Sequence, residues 1–294
     1  MKELRGANAI VTGASRGIGV YIARALARNG VNLALAARSM DELERVRAEM
    51  ERLGVKAVAI RCDVSRADDR AMLLTEAERQ LGPIDILVNN AGIERVAAFT
   101  SVDDHDVTDT LNINLEAPML LSKAILPGML QRGRGHIVNI ASGAGKVGVP
   151  MGTSYCASKH GLVGFSHALR AELRKTPVGV SVVCPAFVAD AGMYARWENE
   201  GVKSPAIAGT CKPETVANVV VRCIRKNKIE ATVKLEKVER GRVIISNNGR
   251  REYIDTLTPP APVTAPAVTA PVAETPAAEP EAKATIPGAD EAIK

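Results

Sequence analysis

The sequence predicts a doubly wound α/β fold: one domain with a central parallel sheet flanked by helices, followed by a disordered tail. Three observations predict it. Short runs rich in Val, Ile, Leu and Ala alternate with segments of helical periodicity over most of the chain. The strand-like runs are apolar almost continuously rather than at every second position, which marks strands buried on both faces, as in a parallel sheet. A glycine-rich turn, TGASRGIG (12–19), joins the first strand-like run to the first helical one.

The elements follow in order. NAIVTG is the first strand, and 18–29 reads as a helix closed by Gly30. VNLALAA is the second strand; Ser39 and Glu42 have capping-box spacing and open a helix that Gly54 ends. KAVAIRCD is the third strand, followed by a helix through Gln80 with Gly82 after it. IDILVNN, HIVNIAS and GVSVVCP are further strands, separated by long helices near 102–130 and 153–174. PETVANVVVRCIRKNK then reads as a helix, IEATVKLE as a last strand, and RVIISNNGRREYI as a hairpin turning at Asn248-Gly249. Composition changes at Thr258. The segment 258–294 holds eight of the sixteen prolines and no aromatic residue, so it cannot bury enough surface to offset its ordering entropy. The expected domain is therefore 1–257 and the tail 258–294.

Composition narrows the function classes. The net charge is +5, but the tail carries −3, which leaves the body at +8. A basic body suits an anionic cofactor or carrier. With aromatics at 3% and no aromatic-interleaved basic stripe, nucleic-acid binding is not expected. The five cysteines show no CxxC pair and no histidine partner at ligand spacing, so no metal is expected and a reducing compartment fits. The N-terminus runs straight into a strand without an apolar signal segment. The longest apolar run, 117–130, is interrupted at Ser122-Lys123 and Pro127-Gly128, so no membrane span is expected and the cytoplasm is the expected location.

The glycine turn carries the first chemistry. Gly13 permits the tight turn, Gly17 lets backbone approach a pyrophosphate, and Gly19 lets helix and strand pack closely, with Ser15, Arg16 and Ile18 between and beside them. This is a Rossmann-type arrangement, and its G-x-x-x-G-x-G spacing resembles that of the short-chain dehydrogenase/reductase family. The second strand ends Ala36-Ala37-Arg38, with no carboxylate to bond a ribose 2′-hydroxyl. Arg38 and Arg16 together would hold a 2′-phosphate through charge-assisted bonds, so NADP(H) is the expected cofactor. NAD(H), with two merely solvated arginines, is the alternative. The resemblance also implies that Asp63 and Val64 lie near the adenine, and that Asn90, Ala91 and Gly92 of NNAG (89–92) lie by the adenosine ribose.

The stretch SYCASKH (154–160) places a tyrosine one helical turn before a lysine in a chain with four tyrosines. On ordinary helices such a pair is a half-buried Tyr beside a solvated Lys. Here Tyr155 and Lys159 match the family's Y-x-x-x-K, Ser142 stands thirteen residues earlier at the end of a strand, and Asn114 matches the family's helix asparagine. Asn112 falls out of that register. The resemblance implies Tyr155 as general acid/base and Ser142 as hydrogen-bond donor to the substrate oxygen. Lys159 would bond the nicotinamide ribose and lower the tyrosine pKa, and Asn114 would hold a water behind the lysine.

After the sixth strand the family reads P-G-x-V-x-T, whereas this chain has Pro185-Ala186-Phe187-Val188-Ala189-Asp190. Pro185 and the Val188 backbone are the expected carboxamide contacts, and Asp190 replaces the threonine. Met193, Tyr194 and Trp197 mark a partly apolar lid. His136, His160 and His167 read as ordinary strand and helix residues. The expected activity is hydride transfer between NADP(H) and a small-molecule carbonyl or secondary alcohol, by a homodimer or homotetramer. The alternatives are a 3-ketoacyl-thioester (acyl carrier protein) reductase, with Arg132, Arg134, Arg174 and Lys175 meeting an acidic carrier, or a non-catalytic NADP(H)-sensing interaction protein.

Overall fold

A computed structural model describes residues 1–188 and 210–233. The boundary at 257, the tail, the Asn248-Gly249 hairpin, Asp190 and the lid residues 193–197 lie outside the described residues. The first half runs β1 (Asn8–Thr12), α1 (Ile18–Ala27), β2 (Asn32–Ala37), α2 (Met40–Arg52), β3 (Ala57–Arg61), α3 (Ala67–Leu81) and β4 (Ile86–Asn89). Then come α4 (Asp104–Leu111), α5 (Ala117–Gln131), β5 (His136–Ile140), α6 (Thr153–Glu172) and β6 (Gly179–Pro185). The remainder is β7 (Phe187–Val188), β8 (Thr210–Cys211), α7 (Pro213–Lys226) and β9 (Glu230–Val233).

Seven strands form one parallel sheet in the order β3-β2-β1-β4-β5-β6-β9, the doubly wound arrangement expected; β7 and β8 pair separately. Strand residues alternate between the sheet's two faces. Val11, Leu35, Val88 and Val138 pack on one face against Ile22 and Leu26 of α1 and Val216 and Val220 of α7. Ile10, Ala34, Leu87 and Ile137 pack on the other against Leu73 of α3 and Leu121 and Ile125 of α5. Both faces are therefore dry, which is why the strands lack a polar alternation. Each fully buried Leu or Ile contributes about 1.5–3 kcal/mol.

Two expectations change. Ser39 stands at the N-cap of α2, but its side chain bonds no helix N–H, so the capping box with Glu42 does not form. Asp41 and Glu42 still place negative charge at that helix's positive end. The helix expected near 102–130 is interrupted: a 3-10 turn at Phe99–Ser101 precedes α4, and a π-helical turn, Asn112–Glu116, separates α4 from α5. The wider π turn carries Asn114 into the interior, where its side chain bonds the backbone of Ile93.

A buried polar seam sets the position of α6. Asn89 Nδ2 donates to Asn139 Oδ1 at 2.8 Å, across the Asn89–Asn139 register of β4 and β5. Asn139 Nδ2 in turn donates to Ser166 Oγ on α6 at 2.8 Å. In a dry interior these groups are costly unless paired, so the seam discriminates against a slipped helix.

Candidate active site

Strand order reverses between β1 and β4, which leaves a crevice at the carboxyl ends of the strands, where such folds bind ligands. Gly13 turns the chain out of β1 at φ +65, and a Cβ there would lie 2.8 Å from the Ala91 Cα. The turn thus packs directly on the segment after β4. Gly17 caps α1 at φ +61, ψ −145, a conformation closed to other residues. No side chain caps α1, and its first turn, like those of α5 and α6, has no acidic residue, whereas α2, α3, α4 and α7 each carry one or two there. The positive end of α1 is therefore left for an anion. Ser15 and Ile18 are half-buried beside it, Gly19 is buried, and Arg16 is exposed.

Thr12, which the sequence reading passed over, holds the crevice together. Its Oγ1 accepts from the N–H groups of Asn90 and Ala91, both at 3.0 Å, and donates to Val88 O at 3.3 Å. Asn90 spends its side-chain amide on Thr12 O at 2.9 Å and Gly13 O at 3.2 Å, so it binds β4 to β1. Gly92 follows, half-buried. At the neighbouring loop Asp63 Oδ1 accepts from the N–H and the hydroxyl of Ser65 at 3.0 and 2.7 Å. Burial pushes the Asp63 carboxyl up, but the Ser65 bonds and the charges of Arg38 and Arg66 outweigh it and hold it low. Arg38 is exposed with its charge reaching Asp63; Val64 is buried, its carbonyl taken by Arg70 at 2.7 Å.

The four catalytic candidates come together beyond β5. Ser142 caps a short 3-10 turn, its Oγ accepting from Ala144 N at 3.1 Å. Lys159 is 4% exposed, and its Nζ donates to Ile140 O at 3.0 Å and lies 5.6 Å from the centre of the Tyr155 ring. Ser158 Oγ donates to Tyr155 O at 2.7 Å and accepts from Asn114 Nδ2 at 3.1 Å. Asn114 also accepts from Ile93 N and donates to Ile93 O, both at 2.8 Å, with its side chain wholly buried.

Electrostatics correct one expectation. The phenol of Tyr155 is held above its usual range, by burial first and then by the Glu94 charge, against a hydrogen bond from Ser142 that pulls it down. The lowering expected from Lys159 does not prevail, because burial brings the lysine itself down to about 8, with Glu94 and Cys184 opposing. Glu94 is thus a second residue that sequence reasoning missed. Its only signal was its place, two residues beyond the NNAG glycine.

Residues 7–201 match the family described as short chain dehydrogenase. The chain belongs to that family. As a short chain dehydrogenase it is an oxidoreductase, and its curated relatives agree. It is 42% identical to the ketoacyl reductase HetN of Nostoc sp. over 233 residues, 79% of this chain and 80% of the other. It is 41% identical to the 3-oxoacyl-[acyl-carrier-protein] reductase of Bos taurus over 178 residues, 60% of this chain and 74% of the other. The crystal structure of an actinorhodin polyketide ketoreductase with NADPH superposes with a TM-score of 0.73 at 32% identity, covering 79% of this chain and 97% of that one. A metagenomic short-chain oxidoreductase in complex with NADP gives 0.67 at 33% identity, covering 81% and 100%.

The remaining expected positions divide. Pro185 ends β6 with its carbonyl beside Gly143 of the Ser142 turn, whereas Val188 is 5% exposed in β7 and belongs to the core cluster on the α1 and α7 face of the sheet. The basic cluster lies farther off. Gly133 and Pro177 approach one another, which brings the segments of Arg132, Arg134, Arg174 and Lys175 together, but at the amino ends of β5 and β6. That is the end of the sheet opposite Tyr155. Arg132 there donates to Ile84 O at 2.6 Å, and Arg134 pairs with Asp85 at 3.2 Å. Among the described residues no helix is long and apolar enough to cross a membrane.

Proposed function

We propose that this short chain dehydrogenase transfers a hydride between NADP(H) and a carbonyl or secondary-alcohol compound, with Tyr155 giving or taking the proton on oxygen. The observation that carries the reading is Tyr155 stacked near the buried Lys159, beside Ser142, at the carboxyl edge of the sheet. The residues present fit a dinucleotide: α1 is uncapped and free of acidic residues at its start, and exposed Arg16 and Arg38 follow β1 and β2. The complexes of the two related structures with NADPH and NADP support NADP(H) over NAD(H). When bound, the nicotinamide supplies or accepts the hydride.

The chain's own groups then have distinct tasks. Burial and Glu94 hold Tyr155 protonated, the state from which a proton donor to a carbonyl starts. Ser142 accepts from Ala144 and turns its hydroxyl proton toward Tyr155, from which a substrate oxygen seated between the two would take it over. Lys159 spends one of its three N–H donors on Ile140 and keeps others for a ribose hydroxyl. Asn114 and Ser158 hold the turn of α6 that presents the tyrosine.

The names of the relatives favour a ketoacyl thioester as substrate. Docking of an acidic carrier at the basic cluster finds no support on one chain, since that cluster sits at the far end of the sheet with two arginines engaged. A sensor without turnover would have no use for the assembled Ser142, Tyr155 and Lys159. Assembly as a homodimer or homotetramer is supported by Leu111, Met119 and Leu130, exposed along α4 and α5. A cytoplasmic location fits five buried, free cysteines. The test is NADPH oxidation, with NADH in parallel, over ketones, aldehydes and acetoacetyl thioesters. Turnover that prefers NADPH by about tenfold or more is expected from two guanidinium–phosphate contacts. NADPH binding with no turnover of any substrate would overturn the enzyme reading.

A further inference from the structure

The turn that carries Ser142 is held at its start and from below. Ala141 N donates to Val183 O at 2.8 Å, which fixes the chain as it leaves β5. Gly145 packs so closely on α6 that a Cβ there would lie 2.7 Å from Lys159 O. Within the turn, Gly145 N bonds Ser142 O and Lys146 N bonds Gly143 O, both at 2.9 Å. Beyond Lys146 the packing thins: Val147 is exposed, and a Cβ at Gly148 would meet nothing within 4 Å. At that point Lys146 reaches across to the last strand of the sheet, its Nζ donating to Glu230 Oε2 at 2.7 Å. The same oxygen lies 2.9 Å from Nε2 of His167 on α6. Glu230 stands on β9 opposite Val182 of β6, beyond the residues 7–201 that match the family.

We propose that Glu230 is a positioning residue for the reaction: through Lys146 and His167 it fixes the Ser142 turn relative to the helix that bears Tyr155 and Lys159. This rests on the reading of Ser142 as donor to the substrate oxygen. One carboxylate oxygen joins the two elements whose spacing decides whether a substrate oxygen meets Ser142 and Tyr155 together. His167 and Tyr155 share the unbroken helix Thr153–Glu172, so the place of one sets the place of the other. Gly145 limits how closely the turn approaches α6, and the bond from Lys146 limits how far it lifts away. The Lys146 and Glu230 side chains are 33% and 26% exposed, so water screens their attraction less than it would a fully solvated pair. The edge strand β9, remote in sequence from Ser142 and Tyr155, thereby bears on the geometry of the site.

The test uses the full chain with NADPH and a carbonyl compound that the wild type reduces. Glu230→Gln and Lys146→Met should each lower kcat by about threefold to fivefold, the scale of a partly exposed ion pair, and leave the KM for NADPH unchanged. The double variant should be no slower than the slower single one, because both changes cut the same tether. Lys146→Arg, which keeps the charge, should hold kcat near that of the wild type. Placed in Ser142→Ala, Lys146→Met should cost nothing further, whereas a merely structural role would slow both backgrounds alike. Amide hydrogen exchange at Gly145, Lys146 and Val147 should quicken in both single variants. Lys146 lies in an exposed turn, so Lys146→Met carries the test even where Glu230→Gln does not fold. An unchanged kcat in Lys146→Met, or an equal loss with and without Ser142, would overturn the proposal. Failure of the underlying reading looks different: the wild type would reduce no carbonyl compound while exchange still distinguished it from the variants, and the positioning role would fall with that reading.

Discussion

The two ends of β5 each bury a base, and the two bases have opposite fates. His136 opens the strand; Lys159 bonds the carbonyl of Ile140 that closes it. His136 Nε2 lies 2.8 Å from Ser181 Oγ, and Ser181 gives its own proton to Lys228 O, so the imidazole donates through Nε2. Burial, then the positive charges of the amino terminus and Arg170, bring His136 down to about 3. Lys159 is as deeply buried, yet it falls only to about 8, because the charges of Glu94 and then Cys184 oppose the desolvation. Desolvation acts alike at both ends. What differs is the sign of the neighbour: cations silence the histidine, and a carboxylate keeps the lysine within reach of a proton. The amino end of the sheet is thus built for stability and the carboxyl end for chemistry.

Removing charge at the active end breaks the comparison most severely. Lys159→Met keeps the length of the side chain and should cut turnover about a thousandfold, read as kcat in single-turnover assays. Ser142→Ala removes one donor to the substrate oxygen and should cost about a hundredfold in kcat with little change in NADPH affinity. Farther along the same edge, Arg38→Asp should shift preference toward NADH by about tenfold, measured as the ratio of kcat/KM for the two cofactors. The silent end is read by stability. Because the folded state keeps His136 neutral while the unfolded chain protonates near pH 6.5, the unfolded state binds more protons below that pH. The urea midpoint should therefore fall as pH drops from about 6.5, with a slope from this group of up to about 1.4 kcal/mol per unit. His136→Gln should flatten that part of the curve.

Most of the fold was legible because a sheet covered on both faces demands continuous apolar strands, and VNLALAA or GVSVVCP admits few other readings. The positions of Ser142, Tyr155, Lys159 and Asn114 were legible from register within a recognised motif set. The π turn at Asn112–Glu116 was not, since α and π turns draw on the same residues and the deciding bond, Asn114 to Ile93, runs across the fold. Glu94 escaped for the same reason: a carboxylate in a loop has no signature until its neighbours are in place. The adjacency of Arg132–Arg134 and Arg174–Lys175 could be guessed from the alternation, but the alternation also puts both segments before strands, hence at the end away from the site. Ser39 had the spacing of a cap without making its bond.

The most direct test of the central claim compares Tyr155→Phe with the wild type in two measurements on the same samples, NADPH binding by fluorescence titration and carbonyl-dependent NADPH oxidation. Loss of the phenol oxygen should leave binding within about threefold and reduce turnover by about a hundredfold to ten-thousandfold, the range of a lost proton donor. Turnover that survives in Tyr155→Phe would contradict the account, because the proton would then come from elsewhere.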